Sequence, residues 1–176
     1  MQFIPVGLDG AYLIEPQLIS DSRGFFTRTF CINEFKDKGL NLNLVQCNIS
    51  YNKLRGTLRG MHFQKAPYPE AKLVRCTQGS IYDVIIDLRS DSKTFTGWFG
   101  VELSAENRKA LYVPEGFAHG FITLEDSSEV LYQMSEFFHS ECADGVRWND
   151  PIFAITWPET IHVIAERDQS YPDFNT

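Results

Sequence analysis

The segment from Gly56 to Gln64 carries the residue types in this chain that are best suited to chemistry. Its sequence, Gly-Thr-Leu-Arg-Gly-Met-His-Phe-Gln, places the guanidinium of Arg59 and the imidazole of His62 close together. A histidine is the natural general base near neutral pH. A polar edge strand with a purely structural histidine would show the same pattern, so the segment alone leaves both interpretations open.

The spacing of Arg59 and His62 raises a geometric problem. The segment has the composition of a strand, and strict alternation along a strand puts these two side chains on opposite faces. The alternation must break between them if both serve one site. We predict a β-bulge at Gly60, because glycine inside a strand is typical of such bulges.

A second histidine, His119, lies in the aromatic segment 114–121 and raises the question of a metal ion. Metal-binding cupins carry His-x-His followed by a glutamate, and this spacing is absent around both His62 and His119. We therefore predict a site without metal. His139 and His162 lie in polar, turn-like segments and receive no role.

Three further residues could contribute to chemistry, and each has an ordinary structural alternative. Lys72 precedes an apolar strand and reads equally well as an exposed lysine. Tyr132 shares a strand face with Val130 and Met134, which favours a core tyrosine with its hydroxyl at the edge. Asp168 lies in a polar C-terminal segment and could be a surface charge.

Composition narrows the class of protein. A chain of 176 residues fits one domain, 1–176. A net charge of −7 argues against a nucleic-acid partner. No signal peptide or membrane-length apolar run is evident, and the four scattered cysteines form no CxxC pair. We expect a reduced, cytoplasmic protein with no membrane partner.

The rest of the chain consists mainly of short strands separated by turns. A short helix is predicted over 34–38, capped by Asn33 and ended by Gly39. The segment 81–89 predicts a strand with a core side and a polar side, the latter carrying Asp83 and Asp87. The pattern indicates an all-β sandwich or barrel. Further strands are predicted over 10–19, 25–30, 45–50, 72–77, 98–103, 110–113, 116–123, 129–138 and 153–157.

A set of motifs in fixed order resembles the dTDP-4-dehydrorhamnose 3,5-epimerase family. The motifs are Asp21-x-Arg23-Gly24-x-Phe26, Gln46-x-Asn48-x-Ser50, Gly56-x-Leu58-Arg59-Gly60-x-His62-x-Gln64, Lys72-Leu73-Val74, Asp83-Val84-x-x-Asp87-Leu88-Arg89, Pro114-x-Gly116-Phe117-Ala118-His119-Gly120-Phe121 and Trp148-Asn149-Asp150-Pro151. They extend over nearly the whole chain, so a chance match is very improbable.

The resemblance implies a cupin-type jelly roll, usually a homodimer, that acts without metal or cofactor on a nucleotide-linked 4-keto-6-deoxy sugar. By analogy, His62 is the base that removes the proton beside the ketone, and Asp168 orients it. Tyr132 returns a proton from the opposite face, and Lys72 stabilises the enolate oxygen. The implied product is dTDP-4-keto-L-rhamnose for rhamnose-containing polysaccharides.

The resemblance also implies a set of substrate-binding residues. Gln46 and Asn48 would bind the nucleotide, while Phe26 and Phe138 would stack on its base. The cations Arg23, Arg59 and His119 would join Lys72 around the diphosphate and the enolate. Arg167 belongs to the basic residue–Asp pair expected before the C-terminus.

Two positions depart from the family pattern. Arg28 stands where many members have a glutamate that helps to hold the nucleotide, and Ala143 stands where an acidic ligand contact is expected. The base of the nucleotide is therefore less firmly indicated than the chemistry.

Three alternatives remain open at this point. An enzyme on the same scaffold could invert only C3 or only C5, a non-catalytic cupin could bind a sugar nucleotide, and a metal-dependent cupin could act as an oxygenase or isomerase. Convergence of His62, Tyr132 and Asp168 on one pocket would disfavour the binding protein.

Overall fold

A computed structural model describes residues 1–40 and 43–175 of the chain, so residues 41, 42 and 176 of the predicted domain lie outside the description. Its strands are β1 (Gln2–Pro5), β2 (Tyr12–Glu15), β3 (Ile19–Asp21), β4 (Gly24–Phe26), β5 (Gln46–Asn52), β6 (Thr57–Gln64), β7 (Lys72–Gln78), β8 (Ser80–Asp87), β9 (Trp98–Ser104), β10 (Ala110–Val113), β11 (Phe117–Thr123), β12 (Ser128–Met134), β13 (Ala143–Gly145) and β14 (Val163–Ile164). The helices are α1 (Ile32–Lys36) and α2 (Glu166–Gln169). In the described residues, neither helix is long and apolar enough to span a bilayer.

The strands form two large sheets that face each other. The first sheet has the order β1-β2-β10-β7-β12-β5, and the second has the order β13-β6-β11-β8-β9 with β14 added beside β6. Val74 and Val130 of the first sheet pack with Ile85 and Phe121 of the second in one buried cluster. The predicted all-β, cupin-like sandwich is thereby confirmed.

Both outer faces of the sandwich are covered. Phe35 of α1 packs on Leu73 and Tyr112 behind the first sheet. Phe153, with its neighbours in the C-terminal segment, packs on Val84 behind the second sheet. Because central strands are buried on two sides, their sequences read as nearly continuous apolar runs rather than alternating ones.

Because the central strands are covered on both sides, the prediction that β8 has a polar side is wrong. Asp83 and Asp87 were expected on a polar side, yet both residues are 0% exposed and lie on the inner face of the second sheet. Each carboxylate is paired there, Asp83 with His119 and Asp87 with Arg89. Charged side chains occur at such positions when they are paired and hydrogen-bonded.

Several predicted elements shift or disappear. The helix starts at Ile32, with Cys31 rather than Asn33 as its N-cap, and ends at Lys36. The predicted strand 153–157 is absent, because this segment packs its aromatic side chains without pairing. The tail instead contributes β14 and α2, which the sequence did not predict.

Hydrogen bonds to Asp87 connect the end of β8 to the following loop. Its Oδ1 accepts a hydrogen bond from Arg89 Nε at 2.8 Å, and its Oδ2 accepts from Ser92 Oγ at 2.5 Å and Thr94 Oγ1 at 2.7 Å. Burial alone raises the pKa of Asp87, but the bonds from Arg89, Ser92 and Thr94 outweigh it and lower the pKa to about 2. The carboxylate is therefore held in its charged form.

Replacing Asp87 by Asn should lower the free energy of unfolding by about 2.5 kcal/mol near neutral pH, the amount that corresponds to a pKa lowered from 3.8 to about 2. Since the folded-state pKa lies below that of the unfolded chain, this stabilisation is present above about pH 4 and is lost as the pH falls through about 2. Urea denaturation at neutral and acid pH measures the difference, with Asp91→Asn, at an exposed neighbour in the same loop, as the control. An unchanged gap between wild type and Asp87→Asn across this pH range would contradict the assignment.

Candidate active site

One end of the sandwich interior opens into a cavity of about 590 Å³ between the two sheets. Residues of both sheets and of the loops around them line it. The cavity brings together nine of the residues predicted to act in catalysis or binding, namely Gln46, Asn48, Arg59, His62, Lys72, His119, Tyr132, Phe138 and Arg167.

The predicted bulge at Gly60 is confirmed. His62 lies opposite His119 and Arg59 opposite Phe121, so that Gly60 and Met61 together face a single residue of β11. The extra residue reverses the alternation, and both Arg59 and His62 consequently line the cavity. Gly60 has φ +135°, and a Cβ there would lie 2.5 Å from the Cα of Gly120.

Asp168 holds His62 from behind the cavity wall. Its Oδ1 lies 2.8 Å from His62 Nε2, and its Oδ2 accepts a hydrogen bond from the Gly60 amide at 3.1 Å. The Asp168 side chain is 6% exposed, whereas that of His62 is 42% exposed. The interpretation of Asp168 as a surface charge is therefore wrong.

The Asp168 carboxylate determines the tautomer of His62. Burial alone raises the pKa of Asp168, but the bonds from His62 and Gly60 and the positive charge of Arg167 outweigh it and hold the pKa below its usual value. An ionised carboxylate can only accept, so Nε2 of His62 must donate. In the neutral imidazole the basic nitrogen is then Nδ1.

Tyr132 reaches the cavity from the other sheet. It lies on β12, packs beside Val130 against the core and also lines the cavity. The interpretation as a core tyrosine is confirmed, and its role in the reaction stays a prediction. Burial raises the pKa of its hydroxyl, although the charge of Arg59 opposes the shift. The phenol therefore remains protonated at neutral pH.

Lys72 is buried, which overturns its interpretation as an exposed lysine. Its Nζ lies 2.8 Å from Glu70 Oε1 and 3.3 Å from the backbone oxygen of His62. Glu70, which was not among the predicted site residues, also lines the cavity. An acid two residues before a lysine, just ahead of an apolar strand, is a signal that could have drawn attention to it.

Two other nitrogen-bearing side chains on the wall, His119 and Arg59, have fixed orientations. His119 Nε2 lies 2.8 Å from Asp83 Oδ1, and Arg59 Nε donates to Asn52 Oδ1 at 2.7 Å. Asp83 was recognised in the sequence only as part of a polar strand face. That Asp83 and His119 are partners becomes evident only from the pairing of β8 with β11.

Gln46 connects β5 to the loop that carries Phe138. Its Nε2 donates to Asn48 Oδ1 at 3.3 Å, and its Oε1 accepts from the Phe138 amide at 3.1 Å. The Phe138 side chain thus sits at the cavity rim and is largely exposed. Ala143 and Asp144 line the same rim.

The remaining predicted residues, Arg23, Phe26 and Arg28, lie away from this cavity. Arg23 forms an ion pair with Asp21 and is 87% exposed, and Phe26 is 70% exposed. Arg28 pairs with Glu34, which also binds the amino group of Met1. The guanidinium of Arg28 therefore has a partner within its own chain, and the predicted substrate contacts of these three residues stay predictions.

No group of three His, Cys, Asp or Glu side chains that could hold a metal ion occurs in residues 1–40 and 43–175. The histidines on the cavity wall each pair with one carboxylate, as described above. The expectation of a reaction without metal or cofactor stays a prediction.

The role of the bulge at Gly60 can be tested by substitution. Gly60→Ala should reduce activity by about 100-fold or more, because the added Cβ collides with Gly120 and a shift of about 1 Å at a catalytic group has an effect of that size. Gly39→Ala is the matched control, since Gly39 also has a positive φ but nothing within 4 Å of a Cβ. Turnover and thermal unfolding of both variants measure the effect, and a fully active Gly60→Ala would contradict the role of the bulge.

Comparison with known proteins places this geometry in a family. Residues 5–176 match the family model described as dTDP-4-dehydrorhamnose 3,5-epimerase. A protein of that name from Methanothermobacter thermautotrophicus is 45% identical, over 97% of this chain and 92% of its own length. The Escherichia coli protein of the same name is 41% identical, over 93% of this chain and 89% of its own.

Solved structures agree with this result. The dTDP-4-dehydrorhamnose 3,5-epimerase from Bacillus anthracis, solved with TDP and PPi bound, superposes with a TM-score of 0.94 at 43% identity, covering 98% of this chain and 99% of that one. With a family model and relatives that match almost end to end, the chain belongs to the dTDP-4-dehydrorhamnose 3,5-epimerase family and is an isomerase that acts on a nucleotide sugar.

Proposed function

We propose that this enzyme inverts C3 and C5 of dTDP-4-keto-6-deoxy-D-glucose, giving dTDP-4-keto-L-rhamnose, with His62 as the base and Tyr132 as the acid. The observation that carries the proposal is the placement of these two side chains on facing sheets of one cavity, with His62 bonded to Asp168. The four free cysteines fit a cytoplasmic location for this step.

The first step is removal of a proton beside the ketone. The C4 carbonyl acidifies the hydrogens at C3 and C5, and the neutral imidazole of His62 accepts one of them at Nδ1. The ionised Asp168 stabilises the imidazolium that results, as the carboxylate of a His-Asp pair does in other enzymes.

The second step is return of a proton to the opposite face of the same carbon. Inversion needs an acid across the sugar ring from the base, and Tyr132 belongs to the sheet opposite His62. Burial raises the pKa of Tyr132, so the phenol carries its proton until the enolate takes it.

The enolate and the diphosphate both require positive charge in an acidic protein. Lys72 is suited to the C4 oxygen, because its ammonium lies beside the backbone of His62. Arg59 and Arg167 line the cavity and, among the residues described, donate only to neutral groups. Their charges are thus available to the diphosphate, and the amides of Gln46 and Asn48 to the nucleotide.

A homodimer would complete the site. The hairpin of β3 and β4 pairs with no other strand in the described part of the chain and exposes Ile19 and Phe26. Ile49 and Tyr51 are exposed on the edge strand β5, beside the cavity mouth. Exposed apolar groups of this kind mark an interaction surface, and we propose that the hairpin delivers Arg23 and Phe26 to the partner's cavity.

A single-centre epimerase is the second candidate function. A protein named dTDP-4-dehydrorhamnose 3-epimerase from Streptomyces niveus is 36% identical over 96% of this chain and 82% of its own length. The same pair of groups could serve one carbon or two, because the outcome depends on how the sugar ring sits between His62 and Tyr132.

Solvent deuterium incorporation tests the proposal. We expect NMR to show exchange at both C3 and C5 when the wild type is incubated with dTDP-4-keto-6-deoxyglucose in D₂O. His62→Ala should slow exchange by about 10²- to 10⁴-fold, the usual contribution of a general base, while dTDP affinity is retained. Tyr132→Phe should keep part of the exchange but lose inversion, and His162→Ala, at an exposed histidine, should behave as wild type.

Each alternative gives a different result in this experiment. Exchange at one carbon alone would establish the single-centre epimerase. An absence of exchange in the wild type with intact dTDP binding would indicate a binding protein, and a fully active His62→Ala would remove His62 from the role of base.

Subunit complementation tests the shared site. Arg23→Ala/Phe26→Ala and His62→Ala should each be inactive, yet unfolding them together and refolding the mixture should restore about a quarter of wild-type activity, because half of the dimers are mixed and each has one intact site. If the hairpin served its own cavity, no mixed dimer would contain an intact site. Mixing without refolding is the control.

A further inference from the structure

Glu70 and Lys72 form a buried ion pair on the wall of the active-site cavity. Their side chains are 4% and 8% exposed, and Glu70 Oε1 lies 2.8 Å from Lys72 Nζ. Both residues line the cavity. The mechanism described above uses Lys72 alone and gives Glu70 no part.

The hydrogen bonds of Lys72 leave one direction open. An ammonium group has three N–H donors. One points to Glu70 Oε1 and a second to the backbone oxygen of His62. These two anchors fix the orientation of the group, so its third donor is left for the cavity.

The contacts of Glu70 do not indicate a purely stabilising role. Its second oxygen, Oε2, is buried and has no hydrogen-bond partner among the described residues. A buried acceptor without a partner is destabilising, and apolar residues of similar volume often replace buried ion pairs at no loss of stability. A role in the reaction explains why a charged residue occupies this position.

We propose that Glu70 is a positioning residue that acts through Lys72. Its carboxylate holds Nζ against the backbone of His62 and aims the remaining N–H at the oxygen on C4 of the sugar, where the enolate charge develops. The proposal rests on the proposed function, because it takes Lys72 as the group that meets this oxygen.

Glu70 is the only acid that pairs with Lys72 in residues 1–40 and 43–175. Asp168 is directed to His62, Asp83 to His119 and Asp144 to Lys65. The other titratable and charged groups that line the cavity are His62, Arg59, His119, Tyr51, Tyr132, Asp144 and Arg167. Most of the nearby charges are therefore cationic or already paired, and loss of Glu70 would leave the ammonium without a compensating charge.

The test is Glu70→Gln, which keeps the shape of the side chain and removes its charge. We expect kcat to fall by roughly 10- to 100-fold with little change in dTDP affinity, as for a group that acts mainly in the transition state. KM for the sugar nucleotide should stay near the wild-type value, whereas a merely structural defect would change KM as well as kcat. Glu141→Gln, at an exposed residue, is the control and should leave both unchanged.

A double-mutant cycle separates a positioning role from an independent one. If Glu70 acts through Lys72, Glu70→Gln should have almost no further effect on kcat in a Lys72→Met background. Glu70→Met, which also removes the unpartnered oxygen, should fold and show the same loss of kcat if Glu70→Gln proves unstable.

Two results would overturn the proposal: a wild-type kcat in folded Glu70→Gln, or an equal fold-loss of kcat from Glu70→Gln with and without Lys72. Failure of the proposed function is distinguishable, because it would appear in the wild type as an absence of exchange at C3 and C5 in D₂O.

Discussion

The close approach of Gly60 to Gly120 is the constraint on which the site depends. Only two residues without side chains can bring β6 and β11 so near, and the resulting bulge turns Arg59 and His62 to the same wall. The bulge also directs the Gly60 amide to Asp168. A single backbone irregularity thus aligns the proposed base His62, binds the carboxylate that orients it and places the Arg59 guanidinium on the same wall.

Pairing of charges explains how an acidic protein offers a cationic pocket. His62, His119 and Lys72 each have a carboxylate partner, which fixes their orientation in a buried setting. Arg59 and Arg167 instead donate to amide and carbonyl oxygens and form no ion pair within residues 1–40 and 43–175, although the charge of Arg167 also acts on Asp168. The net charge of −7 is a property of the whole chain, whereas recognition of an anionic substrate depends on these few groups.

The sequence predicted what is local and missed what is brought together by tertiary packing. Most of the strands and the bulge at Gly60 follow from composition and spacing, because glycine acts within its own segment, whereas for His62 the segment left a structural and a chemical interpretation open. Asp168 and Lys72 looked like surface charges, since nothing near them in sequence shows that α2 packs against β6 or that Glu70 is buried. Asp83 was assigned to a solvent-facing side for a similar reason. In a strand covered on both sides, polar residues stand among apolar ones and the alternation no longer shows which face is exposed. The site residues could be named earlier only through the motifs of a family.

The sandwich suits this chemistry because its cavity has two walls that belong to different sheets. Inversion of a carbon requires removal of a proton on one side and delivery on the other, which groups on one strand could not achieve. His62 stands on β6 and Tyr132 on β12, and the two side chains offer different functions to a proton. His62 is bonded through Nε2 to the ionised carboxylate of Asp168, which leaves Nδ1 as the accepting nitrogen of the neutral ring, while burial raises the pKa of the Tyr132 hydroxyl and keeps the phenol protonated. An acceptor on one wall and a protonated donor on the other are what inversion requires, and their separation follows from the sheet to which each residue belongs.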